Sequence, residues 1–420
     1  MQNREEIPLN EKVASVVLAG GLGTRLYPLT ARRCKPGVCF GGKYRLIDIP
    51  VSNSLNSQIP QIFVISQYFA SSLQSHLSSA YPHSTLQKGN LKMLCPEETT
   101  EGPNWFLGTA DAVRKNLHHI LQSRIEYFLI LSGDQLYNID LMKMVEFAKE
   151  KEADLVVAAL PVDDKEATRM GLLKISSNYK ISDFIEKPSD PEVLQKFSFC
   201  ELSGNMHSCY LGSMGIYVFK KEALISLLQN KGDDFGKDLI PLQVKKGGAF
   251  AFVYDGYWED IGTVDSYYRA NLALIEKKNR VDIEDPYHPI YTVSEQLPNA
   301  IITGTQIEHS IIGQGCVIKA KEITNSVVGT CTRIGSGTVL KNTIIMGCHG
   351  EDRTDGESGL RIGKNCLIEK AVIDEQTFIG NNVVLKNTKQ LSRYDGDGIF
   401  IRDGIIIVAS GTKVPDGFVL

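Results

Sequence analysis

The stretch LAGGLGTRLYP, Leu18 to Pro28, follows directly on the apolar run Val13–Ala19. A short apolar run of this kind reads as a buried strand, and a glycine-rich turn at its carboxyl end lets backbone N–H groups close on an anion. Two common phosphate loops are excluded. A dinucleotide fingerprint needs a third glycine where Leu26 stands, and the Gly-Lys-Ser/Thr of a Walker A loop occurs nowhere in the chain. What remains is a nest formed by Gly20, Gly21, Gly23 and Thr24, with Arg25 beside it able to grip phosphate oxygens with two N–H groups. A second cationic cluster, Arg32-Arg33-Cys34-Lys35-Pro36, follows closely. Such a turn alone could be a plain strand–helix connection; the neighbouring cations favour an anion site.

Working outward, apolar runs alternate with amphipathic stretches up to about residue 280. Val13–Ala19, Ile62–Ser66, Tyr127–Leu131, Leu155–Leu160 and Met214–Phe219 read as strands, and Ala110–Leu121 and Leu141–Glu150 have helical spacing. This alternation predicts an α/β sheet covered on both faces, with ligands at the carboxyl ends of strands. After the proline-bearing stretch Asp285–Pro298 the rhythm changes. Ile312, Ile318, Ile323, Val328, Ile334, Leu340 and Ile345 recur about every five or six residues, and Ile362, Ile368, Ile373, Ile379 and Leu385 resume the beat. Neither a helix nor a flat strand has this period. A β-solenoid does, with one aliphatic per short face pointing inward, and the pattern resembles the hexapeptide repeat of left-handed β-helices. The polar run Cys348–Arg361 interrupts the beat and reads as a loop projecting from one coil.

Bulk properties narrow the function. The chain has 420 residues, 43% of them apolar, and a formal net charge of −4, which argues against a general affinity for nucleic acid. Nine cysteines occur without a C-x-x-C pair, which fits scattered thiols in a reducing compartment better than a disulfide framework or a zinc site. Met1–Asn10 is polar and mixed in charge, so no signal peptide is expected, and no apolar run approaches the ~20 residues of a membrane span. A cytoplasmic protein without a membrane or nucleic-acid partner is the expectation.

The stretch LAGGLGTRLYPLT…RRCKPG resembles the signature of sugar-phosphate nucleotidyltransferases. Gly41–Ser57 (GGKYRLIDIPVSNSLNS), Asn104–Val113 (NWFLGTADAV), Ile185–Pro188 (IEKP), Ser213–Phe219 (SMGIYVF) and Tyr254–Thr263 (YDGYWEDIGT) narrow the resemblance to the glucose-1-phosphate adenylyltransferases. It runs over nearly the whole chain, the solenoid included. The fold implied is α/β, with a Rossmann-like mixed-sheet nucleotidyltransferase domain (1–280), a linker (281–300) and a left-handed parallel β-helix (301–420) for regulation and oligomerisation. The reaction implied is that of ATP with α-glucose 1-phosphate, giving ADP-glucose for glycogen- or starch-type glucan synthesis and diphosphate. Mg2+ is the implied cofactor and a homotetramer the implied assembly.

The resemblance also assigns residues. Arg25, Lys35 and Asp134 take the catalytic places, the two cations on the triphosphate and Asp134, with Asp260, on the metal. Gly20, Gly21, Gly23, Thr24, Phe106, Gly108 and Thr109 fall to the nucleotide, although Phe106 would equally suit the core. Gly171, Glu186, Lys187 and Ser213 fall to glucose 1-phosphate, Lys187 on its phosphate. Arg32, Arg33, Arg45, Lys389 and Arg402 are the candidates for a phosphorylated effector held between the two domains. Two positions depart from the family pattern: Gly37 stands where alanine is usual, and Gln135 where histidine is usual. Neither removes a charge that the reaction needs. The alternatives are the same chemistry with UTP or dTTP, a non-catalytic regulatory subunit, and an acyltransferase solenoid using His309 or His349. The retained Arg25, Lys35, Lys187, Asp134 and Asp260 disfavour the silent subunit.

Overall fold

The computed structural model describes residues 7–82, 89–99, 102–198, 210–276, 278–347 and 360–420. The projecting loop expected at 348–361 and His349 lie largely outside the described residues. No described helix is long and apolar enough to cross a membrane.

The first half is built on a nine-stranded sheet. Its strands are β1 (Val13–Ala19), β2 (Gln61–Ser66), β3 (Asn90–Leu94), β4 (Tyr127–Ser132), β5 (Leu155–Val162), β6 (Gly171–Ile175), β7 (Ile181–Glu186), β8 (Tyr210–Lys220) and β9 (Ala249–Val253). The order is β7-β6-β8-β4-β1-β2-β3, with β5 pairing β8 and β9 pairing β5. β1 runs parallel to β2 and β4, while β8 is antiparallel to β4, β5 and β6, so the sheet is mixed. Alternate residues of β1 serve different cores: Val13 and Val17 face one, Ala14 and Val16 the other. A strand covered on both faces must be apolar at nearly every position, which is why Val13–Ala19 shows no polar alternation. One face is covered by α2 (Ala70–Ala80) and α4 (Leu141–Glu150), through Leu73, Leu77, Met144 and Val145. The other is covered by α3 (Thr109–Lys115) and the helices Lys221–Leu228 and Ile240–Lys246. Asp140 starts α4 by accepting from Met142 N, and Thr263 starts α5 (Val264–Ala273) in a capping box with Ser266.

Between Ala273 and Ile301 the described residues form no helix or strand. This stretch is strapped to α1 (Asp48–Asn56): Asn56 Nδ2 donates to Pro289 O (3.1 Å), and Tyr291 N to Ser52 Oγ (2.9 Å). A parallel β-helix follows. Its long strands β10 (Gln306–Ile312), β11 (Glu322–Val328), β12 (Val339–Ile345), β13 (Leu367–Ile373) and β14 (Ile405–Val408) stack in parallel. The inward column Ile307, Ile323, Leu340, Ile368 and Leu385 is in register from coil to coil, so the beat seen in the sequence is the core of the stack. The last coil departs from it, because Arg393–Asp395, Ile399–Arg402 and β14 form an antiparallel meander.

A second column, Ile311, Val327, Ile344, Val372 and Ile407, faces the opposite way. Ile344, Val372 and Ile407 join Leu26, Val38, Phe40, Leu46, Val264 and Tyr267 in one apolar cluster spanning both halves. Each such fully buried side chain contributes about 1.5–3 kcal/mol, so the halves are held by an interior rather than by a surface contact. The backbones meet within this joint. Thr330 N donates to Gly42 O (3.1 Å), and a Cβ on Gly42 would stand 2.6 Å from Gly329 Cα. Gly42 also has φ +69°, a conformation that only glycine adopts without strain. Gly42→Ala is therefore expected to lower stability by about 1–3 kcal/mol through strain alone, with the steric clash in addition; a denaturant titration showing no loss would contradict this account of the joint.

Candidate active site

The site gathers at the carboxyl ends of β1 and β4. These strands are neighbours with Leu18 opposite Ser132, and Gly133 N donates to Leu18 O (2.9 Å), which carries the chain directly into Asp134. The short strand Gln135–Tyr137 pairs antiparallel with Trp258–Asp260, setting Asp260 opposite Gln135. That ladder, closed by Ile261 N donating to Asp134 O (3.3 Å), brings together two aspartates far apart in the chain. Between them stands Lys35. Its Nζ lies 2.6 Å from Asp134 Oδ2 and 3.5 Å from Asp260 Oδ1. Ser132 Oγ donates to Asp134 Oδ1 (2.5 Å).

Lys35 begins a 3-10 turn, Lys35–Gly37, in which Pro36 fixes the backbone and Val38 N donates to Lys35 O. Gly23, at φ +63°, lies against the lysine stem, where a Cβ would be 2.9 Å from Lys35 Cβ. Burial works against the Lys35 charge, but Asp134 and Asp260 outweigh it and raise its pKa. Asp260 is also raised: burial is the largest cause, and the like charge of Asp134 adds to it against the pull of Lys35 and Arg25.

Two clefts open on this centre. One, of about 460 Å3, is lined by Arg25, Lys35, Asp134, Gly171, Glu186, Lys187, Ser213 and Asp260 among others. The other, of about 530 Å3, is lined by Gly20, Gly21, Phe106, Gly108, Thr109 and Asp134 among others. Ser132, Asp134, Gln135, Glu186, Lys187, Gly215 and Tyr217 belong to both. The residues expected for the sugar phosphate thus line one cleft and most of those expected for the nucleotide line the other. Gly23 and Thr24 line neither. A Cβ on Gly20 or Gly21 would meet nothing within 4 Å, so the fold itself does not require glycine there, whereas a ligand pressing on the backbone would. Gly108 and Gly171 are different: a Cβ would meet Asp233 O at 2.4 Å in the first case and Glu186 Oε2 at 2.7 Å in the second. Lys187 follows β7 at φ +46° and pairs with Glu186 (3.0 Å).

The donor set suits Mg2+. Among the described residues no three His, Cys, Asp or Glu side chains form a metal cage. Two carboxylates sharing one cation are what that ion takes from a protein when phosphates and water complete its octahedron. The Lys35 ammonium is the stand-in cation between them.

Of the family departures, a Cβ on Gly37 would meet only ordinary contacts, the nearest being Cys34 Sγ at 3.5 Å, so alanine would fit there. Gln135 donates from Nε2 to Met214 O (2.8 Å) and leaves its buried Oε1 without a hydrogen-bond partner.

The expected effector cations do not form one cluster. Arg32 and Arg33 line a cleft of about 450 Å3 at the joint, together with Phe400, Ser410 and Lys413. Arg33 is not open to an anion, because its Nη2 pairs with Asp374 (2.8 Å) and Glu375 (3.3 Å) of the β-helix. Arg45 Nη2 lies 3.7 Å from Glu375. Arg402 pairs with Asp395 and lies over the Phe400 ring, while Lys389 is exposed and lines none of these clefts.

Several lining residues were not singled out in the sequence. Ser132 stands two places before Asp134 and Arg169 two before Gly171, and Gln67 directly follows β2; each could have been found by its place at a strand end or beside a chosen residue. Asp234 had no such signal. It accepts from Thr109 Oγ1 (3.0 Å), joining α3 to the turn Phe235–Leu239 across a long stretch of chain.

Comparison with known families agrees with this division of the chain. The family model described as nucleotidyl transferase matches residues 14–277, and that of the GLGC left-handed parallel beta-helix domain matches residues 295–419.

The raised pKa of Asp260 has a consequence for stability. Its contribution is present in full below the ordinary aspartate value of about 4 and is lost as pH rises through the raised value. Asp260→Asn in metal-free buffer should melt higher than the parent chain at pH 7, the difference closing towards pH 4. A lower Tm at pH 7 would be the opposite result.

Proposed function

The chain belongs to the nucleotidyl transferase family and has the architecture of the glucose-1-phosphate adenylyltransferases; from that premise we propose that it joins ATP and α-glucose 1-phosphate to give ADP-glucose and diphosphate. The observation that carries the reading is the pair of clefts sharing a wall at Asp134, Glu186 and Lys187, with two carboxylates and one ammonium at the junction. A site that opens from two sides on one charged centre, with Arg25, Lys35 and Lys187 among its lining, is suited to bringing two polyanions together.

The chemistry asks for position and charge. The phosphate of glucose 1-phosphate is already ionised near neutral pH, so its oxygen attacks the α-phosphorus without a general base. The bond to the β-phosphate oxygen breaks as the new one forms, and diphosphate leaves. Lys187 and Arg169, which line the first cleft, hold the sugar phosphate in this reading, and Glu186 and Ser213 of the same cleft accept from or donate to sugar hydroxyls. The open backbone at Gly20 and Gly21 receives phosphate oxygens of the nucleotide, while Arg25 and Lys35 neutralise the departing charge. Asp134 and Asp260 would hold Mg2+, which supplies charge neutralisation across the phosphates when bound. For Lys35 this means letting go of the carboxylates when substrates arrive. The cleft at the joint, with Arg32 and Lys413, is the proposed seat of a phosphorylated effector.

The test is purified chain with glucose 1-phosphate, Mg2+ and each nucleoside triphosphate in turn, followed by diphosphate release. ATP should be preferred over UTP and dTTP. Asp134→Asn should cut turnover by about a thousandfold while leaving the circular dichroism spectrum unchanged. Turnover by that variant at the parent rate would remove Asp134 from the mechanism, and a preference for UTP or dTTP would replace the nucleotide.

A further inference from the structure

The joint between the two halves holds a group of buried charges that the reaction does not use. Arg33 Nη2 lies 2.8 Å from Asp374 Oδ1, with the two side chains 5% and 1% exposed, and 3.3 Å from Glu375 Oε2. Arg45 Nη2 approaches Glu375 Oε1 at 3.7 Å, while its Nη1 donates to Gly37 O (2.5 Å). We propose that Asp374 and Glu375 of the β-helix position Lys35 for the triphosphate, acting through Arg33 and Arg45.

The two arginines grip the chain on either side of this lysine. Arg33 stands two residues before it, and the Gly37 carbonyl held by Arg45 lies two residues after it. The segment between is stiff. Gly37 N donates to Cys34 O, Val38 N to Lys35 O and Ile47 N to Pro36 O, so a displacement at either arginine is passed on to Lys35 rather than absorbed. On the other side the carboxylates are fixed by the stack. Asp374 directly follows β13; its N–H donates to Val408 O in the next coil, and its Oδ1 accepts from Glu375 N (2.7 Å). The β-helix therefore presents two immobile negative charges to the catalytic segment.

Holding the halves together does not explain this arrangement. The apolar cluster containing Ile344, Val372 and Ile407 already does that, and burying ion pairs returns little beyond the cost of desolvating them. What such pairs add is one defined geometry, here at the foot of the lysine on which both aspartates close.

The inference rests on the proposed role of Lys35, and the experiment separates the two. Asp374→Asn keeps the size of the side chain and an acceptor for Arg33 but removes the charge; Glu375→Gln does the same at the less buried partner. Each should lower kcat/KM for ATP at least tenfold, leave KM for glucose 1-phosphate within twofold, and weaken binding of a non-hydrolysable ATP analogue. Asp374→Glu should recover part of the loss. The proposal is overturned if kinetics and analogue affinity stay within twofold of the parent chain, or if both substrates lose in proportion to the folded fraction measured by thermal melting. Absence of turnover in the parent chain would count against the reaction instead, and analogue affinity in the variants would still test the positioning.

Discussion

Lys35 Nζ stands between Asp134 and Asp260 within a buried centre, and the surrounding structure is organised around keeping those three charges in place. A site that must receive two polyanions has to hold positive charge in readiness, and buried positive charge without a partner is costly. The aspartates meet that cost while the site waits. Their own approach is imposed from outside, by the ladder between Gln135–Tyr137 and Trp258–Asp260. The lysine is imposed from another direction, by the turn that Pro36 fixes and by the space that Gly23 leaves. Three remote segments thus converge on one charge balance, and a displacement of any one of them shifts it.

The β-helix belongs to the same construction. Its outward column completes the interior under Val38, Phe40 and Leu46, in the stretch that follows the lysine turn. The catalytic half therefore rests on the stack at the segment that carries its chemistry, with Leu136 and Ile261 beside the two aspartates in the same cluster, whereas no strand of the nine-stranded sheet takes part in it. Support is concentrated where position matters.

Much of this was legible in the sequence where the signal was local or periodic. The glycine turn after Val13–Ala19, the aspartate after Tyr127–Ser132 and the aliphatic beat from Ile312 onward each express a rule that acts over a few residues. Ile323, Leu340, Ile368 and Leu385 belong to the beat of inward aliphatics and stack as one column. The docking column stands beside them, in the doubled aliphatics Ile344-Ile345 and Val372-Ile373, where one member faces the stack core and the other the catalytic half, and in Val327-Val328, where Val327 lies against Gly42. It is not legible as such, because a repeat shows that a second face is apolar but not what covers it. The partners of Arg33 were equally hidden: an arginine in a cationic cluster looks open until the fold brings Asp374 against it. Thr109 and Asp234 were hidden for the same reason, being joined only by the folded chain.

The contact of Gly42 with Gly329 bears on how such a protein can change over generations. Where two side chains meet, one may grow while the other shrinks, and charges may trade sides. Here backbone touches backbone, and both positions already hold the smallest residue. No compensating pair of substitutions exists, so the two halves are bound to a shared history at this point, however freely the loops around them diverge.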